Sequence, residues 1–191
     1  MHQSIVELWS TVKAPPAPQL KAVTLDPKTT ALLMLDFVTQ ACNEKKRPRC
    51  IETVPAAARL LARARAKKMF VVYAIGSVTP GRTISDTLSE VAPLPHEPYV
   101  QAGPDKFLGT DLEKMLKERG IQTVIVTGTA AHGAVLHTAD EAVFRGYQVV
   151  IPVDTISAEN LYIEQYVVHH FTIGSRVAHA TTVTCVDMIK F

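Results

Sequence analysis

Three stretches of the chain carry side chains that could move protons around a carbonyl group. Asp36 directly follows the apolar run Ala31-Leu32-Leu33-Met34-Leu35, which sets a carboxylate at the rim of a buried strand. The segment Tyr99 to Phe107 holds an amide at Gln101 and an ammonium at Lys106. A third stretch, Gly128-Thr129-Ala130-Ala131-His132-Gly133-Ala134, follows the apolar Val124-Ile125-Val126 and reads as a small-residue turn from strand into helix. A carboxylate serves as general acid or base when burial and a neighbouring lysine adjust its proton affinity. Backbone N–H groups at a helix start point outward with the positive end of the dipole and polarise a substrate oxygen. The chemistry these types could support is proton transfer to or from a small molecule whose oxygen is held by the turn. Each residue also has a plainer reading: Asp36 as a loop cap, Lys106 facing solvent or paired with Asp105 or Asp111, and His132 as a hydrogen-bonded structural residue rather than a base for water.

The elements that must position these groups alternate strand and helix. Residues Ala31 to Leu35, Met69 to Ile75, Thr123 to Val126, Gln148 to Val153 and Thr181 to Val186 are short, apolar and rich in β-branched types. They suit strands covered on both faces, hence a parallel sheet. Helices are expected from Thr110, with Glu113 completing a capping box and Gly120 as the stop, and from about Pro55 to Lys68, with Pro55 in the first turn. Two more are expected from Gly133 to before Gly146 and from Glu159 to Phe171. Strands joined by single helices cross over right-handedly, which gives an α/β fold, a three-layer α/β/α sandwich on a mainly parallel sheet. In such sheets ligands bind at the C-terminal strand ends, so Asp36 and the turn from Thr127 to Gly133 are expected to face one site.

Residues 1–28, with Pro15, Pro16, Pro18 and Pro27, are expected to form an arm over the domain or over a neighbouring subunit, and residues 29–191 to form the one α/β domain. The loop from Val38 to Arg49 is long for a βα connection. Its Lys45, Lys46, Arg47 and Arg49, with the separate Arg82, form either a solvated face or a recognition surface for substrate charge.

Composition excludes several classes of partner. With 20 basic and 18 acidic residues the formal charge is +2, so no broad electrostatic footprint for nucleic acid or anionic membrane is expected. No apolar run approaches the roughly 20 residues needed to span a bilayer, and the first residues lack the pattern of a signal peptide. The three cysteines, Cys42, Cys50 and Cys185, are odd in number and lack CxxC spacing, so neither a disulfide scaffold nor a structural zinc site is expected and the chain reads as cytoplasmic. Cys42 lies on the loop after Asp36, but a free cysteine is usually an inert small hydrophobe rather than a nucleophile. His169 and His170 are adjacent on a helix and point in different directions, which disfavours a joint metal site. Neither a metal nor an organic cofactor is expected.

With Leu35-Asp36-Phe37, the stretch Asp105 to Leu112 and the turn Gly128 to Val135, the chain resembles the isochorismatase-like, or cysteine hydrolase, superfamily over roughly Thr29 to Ile189. The resemblance implies a homo-oligomer and a site in which Asp36 is the acid or base, with Phe37, Phe107, Ala130, Ala131, His132, Gly133 and Ala134 beside the substrate. Two positions depart from the family's pattern. Ala134 stands where the family carries its nucleophilic cysteine, and Gln101, six residues before Phe107, stands where it carries a lysine. Lys106 is a candidate to bring an ammonium back to the pocket, and Gln101 to offer the substrate a neutral amide. Some relatives bind zinc after the second strand, but Ile75-Gly76-Ser77-Val78-Thr79 offers no ligand. An alanine cannot attack a carbonyl, which argues against a thioester route. Isochorismatases proper act without a thiol, protonating a vinyl ether through the aspartate and adding water. The expected function is therefore Asp-assisted hydrolysis of a small metabolite without a cysteine nucleophile, the alternative being a non-catalytic binding or scaffold protein on the same fold.

Overall fold

Strand residues pointing alternately to opposite faces build two separate cores, and this makes the molecule three-layered. The computed structural model describes residues 2–77 and 80–191. Its elements run β1 (Val23–Thr24), β2 (Thr30–Leu35), α1 (Pro48–Ala66), β3 (Phe70–Gly76), β4 (Tyr99–Ala102), α2 (Leu112–Glu118) and β5 (Thr123–Thr129). A π-helical turn (Ala131–Val135) then leads into α3 (Leu136–Phe144), followed by β6 (Gln148–Pro152), β7 (Ile156–Ser157), α4 (Leu161–Ile173), α5 (Ser175–Ala180), β8 (Thr181–Thr184) and β9 (Ile189–Lys190).

The main sheet has the order β4-β3-β2-β5-β6-β8, with β7 extending the pairing of β5, and the pairs along it are parallel. Leu33 pairs with Val72 on one side and Val126 on the other, so β2 lies at the centre. On one face Ala31, Leu33, Leu35, Val124 and Val126 pack with Leu112 and Leu116 of α2, Ala139 and Val143 of α3, and Val167 and Phe171 of α4. On the other, Leu32, Met34, Tyr73 and Ile125 pack with Val54, Ala57, Leu60 and Leu61 of α1. Both faces of β2 are thus buried, which is why its sequence is a continuous apolar run.

Four features depart from the sequence-based expectations. The edge strand β4 alternates exposed and buried residues over only four positions, too short a signal to separate from a loop. Helix α1 begins at Pro48, with Pro55 inside it, because Pro48 occupies the first turn where its missing N–H costs nothing. The expected capping box at Thr110 and Glu113 is not formed: Asp111 is the N-cap residue without a side-chain cap, and Glu113 pairs with Lys117 and Arg145. Cys42 and Cys50 form a disulfide across the loop before and into α1, correcting the expectation of unpaired thiols; cysteine usage no longer argues for a reducing compartment. Within the N-terminal segment, β1 pairs in parallel with β9 and Leu25 is buried, so its last residues join the domain. Among the described residues no helix is long and apolar enough to cross a membrane.

Candidate active site

The parallel sheet brings the C-terminal ends of β2, β3 and β5 together, and the acidic group sits where they meet. Asp36 follows the last residue of β2, and its N–H donates to Ala74 O at 2.9 Å, continuing the pairing with β3. Its φ is +54°, the left-handed region that aspartate tolerates better than most residues. There the chain leaves the strand and the carboxylate turns into a cavity of about 210 Å3.

Three donors meet this carboxylate. The Gly76 N–H donates to Oδ1 at 2.5 Å, Lys106 Nζ lies 2.8 Å from Oδ2, and Arg82 Nη1 lies 3.4 Å from Oδ1. All three charged side chains are largely buried, at 9% exposure for Asp36, 1% for Lys106 and 6% for Arg82. Glycine at position 76 leaves room for both side chains, since a Cβ there would sit 2.7 Å from Arg82 Nη1 and 3.2 Å from Asp36 Oδ1 and they would have to shift. At Gly128, with φ +127°, a Cβ would lie 2.0 Å from Leu35 O, so β5 can run beside β2 only as glycine.

Lys106 reaches inward because its backbone is held on both sides. Its N–H donates to Thr138 Oγ1 at 3.2 Å, and its carbonyl accepts from the Thr110 hydroxyl at 2.6 Å. Thr138 also donates to Pro104 O at 3.3 Å, tying the loop after β4 to α3. The bond from Thr110 explains the lost capping box, since its hydroxyl is committed to Lys106 O while accepting from Leu112 N–H at 3.2 Å.

The turn completes the wall: Ala130, His132, Gly133 and Ala134 line the cavity together with Asp36 and Lys106. The His132 ring is 44% exposed and its Nδ1 lies 3.7 Å from Glu159. Four sequence candidates lie elsewhere. Gln101 is exposed on β4 and its amide donates to Arg82 O at 3.3 Å, so it supports the segment bearing Arg82 instead of lining the cavity. Phe37 belongs to the α1-side core, Phe107 to the opposite core, where it stacks on Tyr147, and Ala131 is fully buried. Cys42 is bonded to Cys50, and His170 pairs with Asp140. Val78 and Thr79, in the stretch after β3 that offers no zinc ligand, lie outside the described residues, and among the described residues no group of three His, Cys, Asp or Glu could hold a metal ion. Arg82 was expected only within a basic set that forms either a solvated face or a recognition surface for substrate charge, and Gly76 was not expected at the site; a glycine closing a β-branched run was the one local signal for Gly76.

Residues 30–185 match the Isochorismatase domain family, a span that contains Asp36, Lys106 and the turn. The chain belongs to the isochorismatase family. Over 50 residues it is 46% identical to N-carbamoylsarcosine amidase of Arthrobacter sp, covering 26% of this chain and 19% of that protein. Over 89 residues it is 34% identical to the uncharacterized isochorismatase family protein PncA of Bacillus subtilis (strain 168), covering 44% and 49%. The matched stretches therefore span about a fifth and about half of these curated relatives' own lengths. Among solved structures, N-carbamoylsarcosine amidase from Thermoplasma acidophilum is 26% identical with a TM-score of 0.68, covering 83% of this chain and 97% of that one. A cysteine hydrolase from Pseudomonas syringae pv. phaseolicola 1448A gives a TM-score of 0.76 over 90% and 95%, a likeness of fold at 19% identity. The α/β architecture of this chain is thus that of the family.

Proposed function

We propose that this isochorismatase-family chain is a hydrolase of a small metabolite that works through Asp36 without a cysteine nucleophile. The observation that carries this reading is the buried Asp36–Lys106 pair, 2.8 Å apart, opening on the same small cavity as the methyl group of Ala134. In this reading Asp36 accepts a proton from water as the water oxygen bonds to the substrate's electrophilic carbon, then returns that proton to the leaving group. Lys106 supplies the positive charge that orients the carboxylate, and the amides of the turn beginning at Ala131 stabilise the developing oxyanion. For a vinyl ether the same carboxyl would protonate the alkene before water adds, and no thiol is needed in either route. That N-carbamoylsarcosine amidases are among the relatives supports substrates with an amide or ureido carbon.

The alternative, a non-catalytic binding or scaffold protein, is favoured by a pocket plugged with side chains. Neither Phe37 nor Phe107 enters the cavity, and the His132 ring is partly exposed at its wall, which supports the enzyme. A homo-oligomer is part of the same proposal: Ile5, Trp9 and Val12 of the N-terminal segment and Tyr162 and Tyr166 of α4 expose apolar surface around one groove that a second copy would cover. Light scattering that finds only monomer would remove it.

The test is hydrolysis of a panel of small amides, ureido acids, vinyl ethers and lactones by the wild type beside Asp36→Asn. Turnover reduced by about 100-fold or more in the variant is expected for loss of a general acid or base. No turnover, or equal turnover in both, overturns the reading in favour of the binding protein.

A further inference from the structure

At the end of the sheet opposite Asp36, the segments that lead into β2, β3, β4 and β5 enclose a second cavity, of about 620 Å3. It shares no lining residue with the cavity at Asp36, and the six residues of β2 separate the two ends by roughly 20 Å at about 3.3 Å per residue. Four cationic side chains line it, Lys28, Arg65, Lys68 and Arg119, against one carboxylate, Glu97. Arg65 and Glu97 offset each other through two hydrogen bonds, at 2.9 and 2.7 Å. Arg119 holds its guanidinium over the Phe70 ring, 4.0 Å from the centroid, and donates to Met115 O at 3.3 Å. Asp26 accepts the Lys28 N–H at 2.9 Å but does not line the cavity. Among the described residues no carboxylate forms an ion pair with Lys28, Lys68 or Arg119. His96, exposed at the rim, adds to the positive side when protonated.

Part of this charge answers the helix ends. Helices α1 and α2 both finish here, and a helix C-terminus carries roughly half a negative charge. Three unpaired cations exceed two such ends by about two charges. Lys68 sits at φ +55°, in the left-handed region after α1, so the chain carries a lysine where the backbone favours glycine.

We propose that this second cavity binds a phosphate monoester carrying a flat ring, with the size and chemistry of a nucleoside monophosphate. Such a phosphate bears close to two negative charges at pH 7, which matches the surplus. Lys28 and Lys68 are compact ammonium donors on flexible stems, suited to phosphate oxygens as point charges. Arg119 has one face on Phe70, and its other face is a planar cation on which the ring of the ligand stacks. A volume of about 620 Å3 falls within the roughly 300–1,000 Å3 of small-molecule pockets and is about three times that of the cavity at Asp36. No part of this site depends on turnover at Asp36.

Isothermal titration calorimetry of the full chain with AMP, adenosine, ribose 5-phosphate and a single-stranded oligonucleotide tests the assignment. AMP is expected to bind at least tenfold more tightly than adenosine, which lacks the charge, and at least fivefold more tightly than ribose 5-phosphate, which lacks the ring, with an affinity that falls as salt rises. Lys28→Gln and Lys68→Gln each weaken AMP and ribose 5-phosphate alike, whereas Arg119→Lys weakens AMP and leaves ribose 5-phosphate unchanged. Unchanged thermal unfolding of the three variants identifies these losses as losses of recognition. Lys46→Gln, at the other cavity, leaves the affinity for AMP as it is. No binding of AMP, equal binding of AMP and adenosine, an affinity that survives both lysine variants, or one abolished by Lys46→Gln overturns the proposal. An oligonucleotide held more tightly than AMP overturns it in favour of a nucleic-acid surface.

Discussion

Lys106 Nζ lies 2.8 Å from Oδ2 of Asp36, although the two residues are 70 positions apart and Lys106 comes from the loop beyond β4 instead of from the strand itself. The contact is made in a nearly waterless place, so each member leaves the other as a buried charge with one partner fewer when removed. Lys106→Met is therefore expected to destabilise the fold by about 3 kcal/mol, with turnover lost. In the double variant Lys106→Met, Asp36→Asn the cost should fall short of the sum of the single ones by about 1 kcal/mol or more. Denaturant unfolding of the four proteins measures this, and strict additivity would show that the pair is not energetically coupled.

Gly76 shares the carboxylate with that lysine. A methyl group at position 76 would meet Arg82 Nη1 and the Asp36 oxygen, both ends of side chains that must then shift. Gly76→Ala is expected to cost about 1–3 kcal/mol in stability, as overpacking does, with a disproportionate loss of kcat because the reacting carboxylate moves. Kinetics and melting on one preparation test it; a change in stability with unaltered kcat would remove Gly76 from the site.

Ala134 borders the cavity at the start of the helix that runs into α3. If the remaining groups still serve carbonyl chemistry, Ala134→Cys should gain amidase activity that iodoacetamide abolishes, while the wild type stays insensitive to the reagent. Activity that appears but resists alkylation would show that the new thiol is not the nucleophile.

The Cys42–Cys50 bond closes the loop that presents Lys46 and Arg47 to the cavity. Closing so short a loop restricts the unfolded chain by about 2–3 kcal/mol. Cys50→Ser, or reduction of the wild type, should lower stability by about that much and raise KM more than it lowers kcat. Denaturation with and without reductant decides the point, and identical midpoints would show that the loop is held by packing alone.

Glu159 provides a pH-dependent anchor for that loop. Partial burial pushes its carboxyl up, but the hydrogen bond and charge of Arg47, with a backbone hydrogen bond and the charge of His132, hold it below the ordinary carboxylate value. A carboxyl lowered in the folded state adds stability above its unfolded value and loses it as pH falls through the folded one. Wild type should thus exceed Glu159→Gln by at most about 1 kcal/mol near neutral pH, since the pair is partly exposed, and the gap should close below about pH 4. A gap that persists at low pH would assign it to packing.

How much of this was legible varies residue by residue. The run Ala31 to Leu35 and the small-residue turn at Gly128 to Ala134 announce a buried parallel strand and a strand-to-helix junction, because burial on both faces and close backbone approach each demand particular side chains locally. Asp36 could be placed at the rim of the sheet for the same reason. Nothing local says that Lys106 turns inward, since that depends on Thr110 and Thr138 holding its backbone from two different elements. Likewise Gln101 lies on β4, a strand too short to be read from the sequence, and bonds to Arg82 O, a partner brought to it by a loop that no periodicity describes. The two cysteines pair because the turn before α1 folds back on itself, a geometry their spacing alone does not impose.

By itself, then, the sequence determined the layers and the parallel sheet, because both follow from apolar periodicity and turn chemistry over a few neighbouring residues, and its motifs at Asp36, Asp105 to Leu112 and Gly128 to Val135 carried the resemblance to the family. Only the tertiary structure decided which charges face one another across the cavity. Long flexible side chains such as Lys106 and Arg82 take their direction from contacts made by residues distant in the chain, and the buried charge of Lys106 is tolerated because Asp36 is placed to receive it.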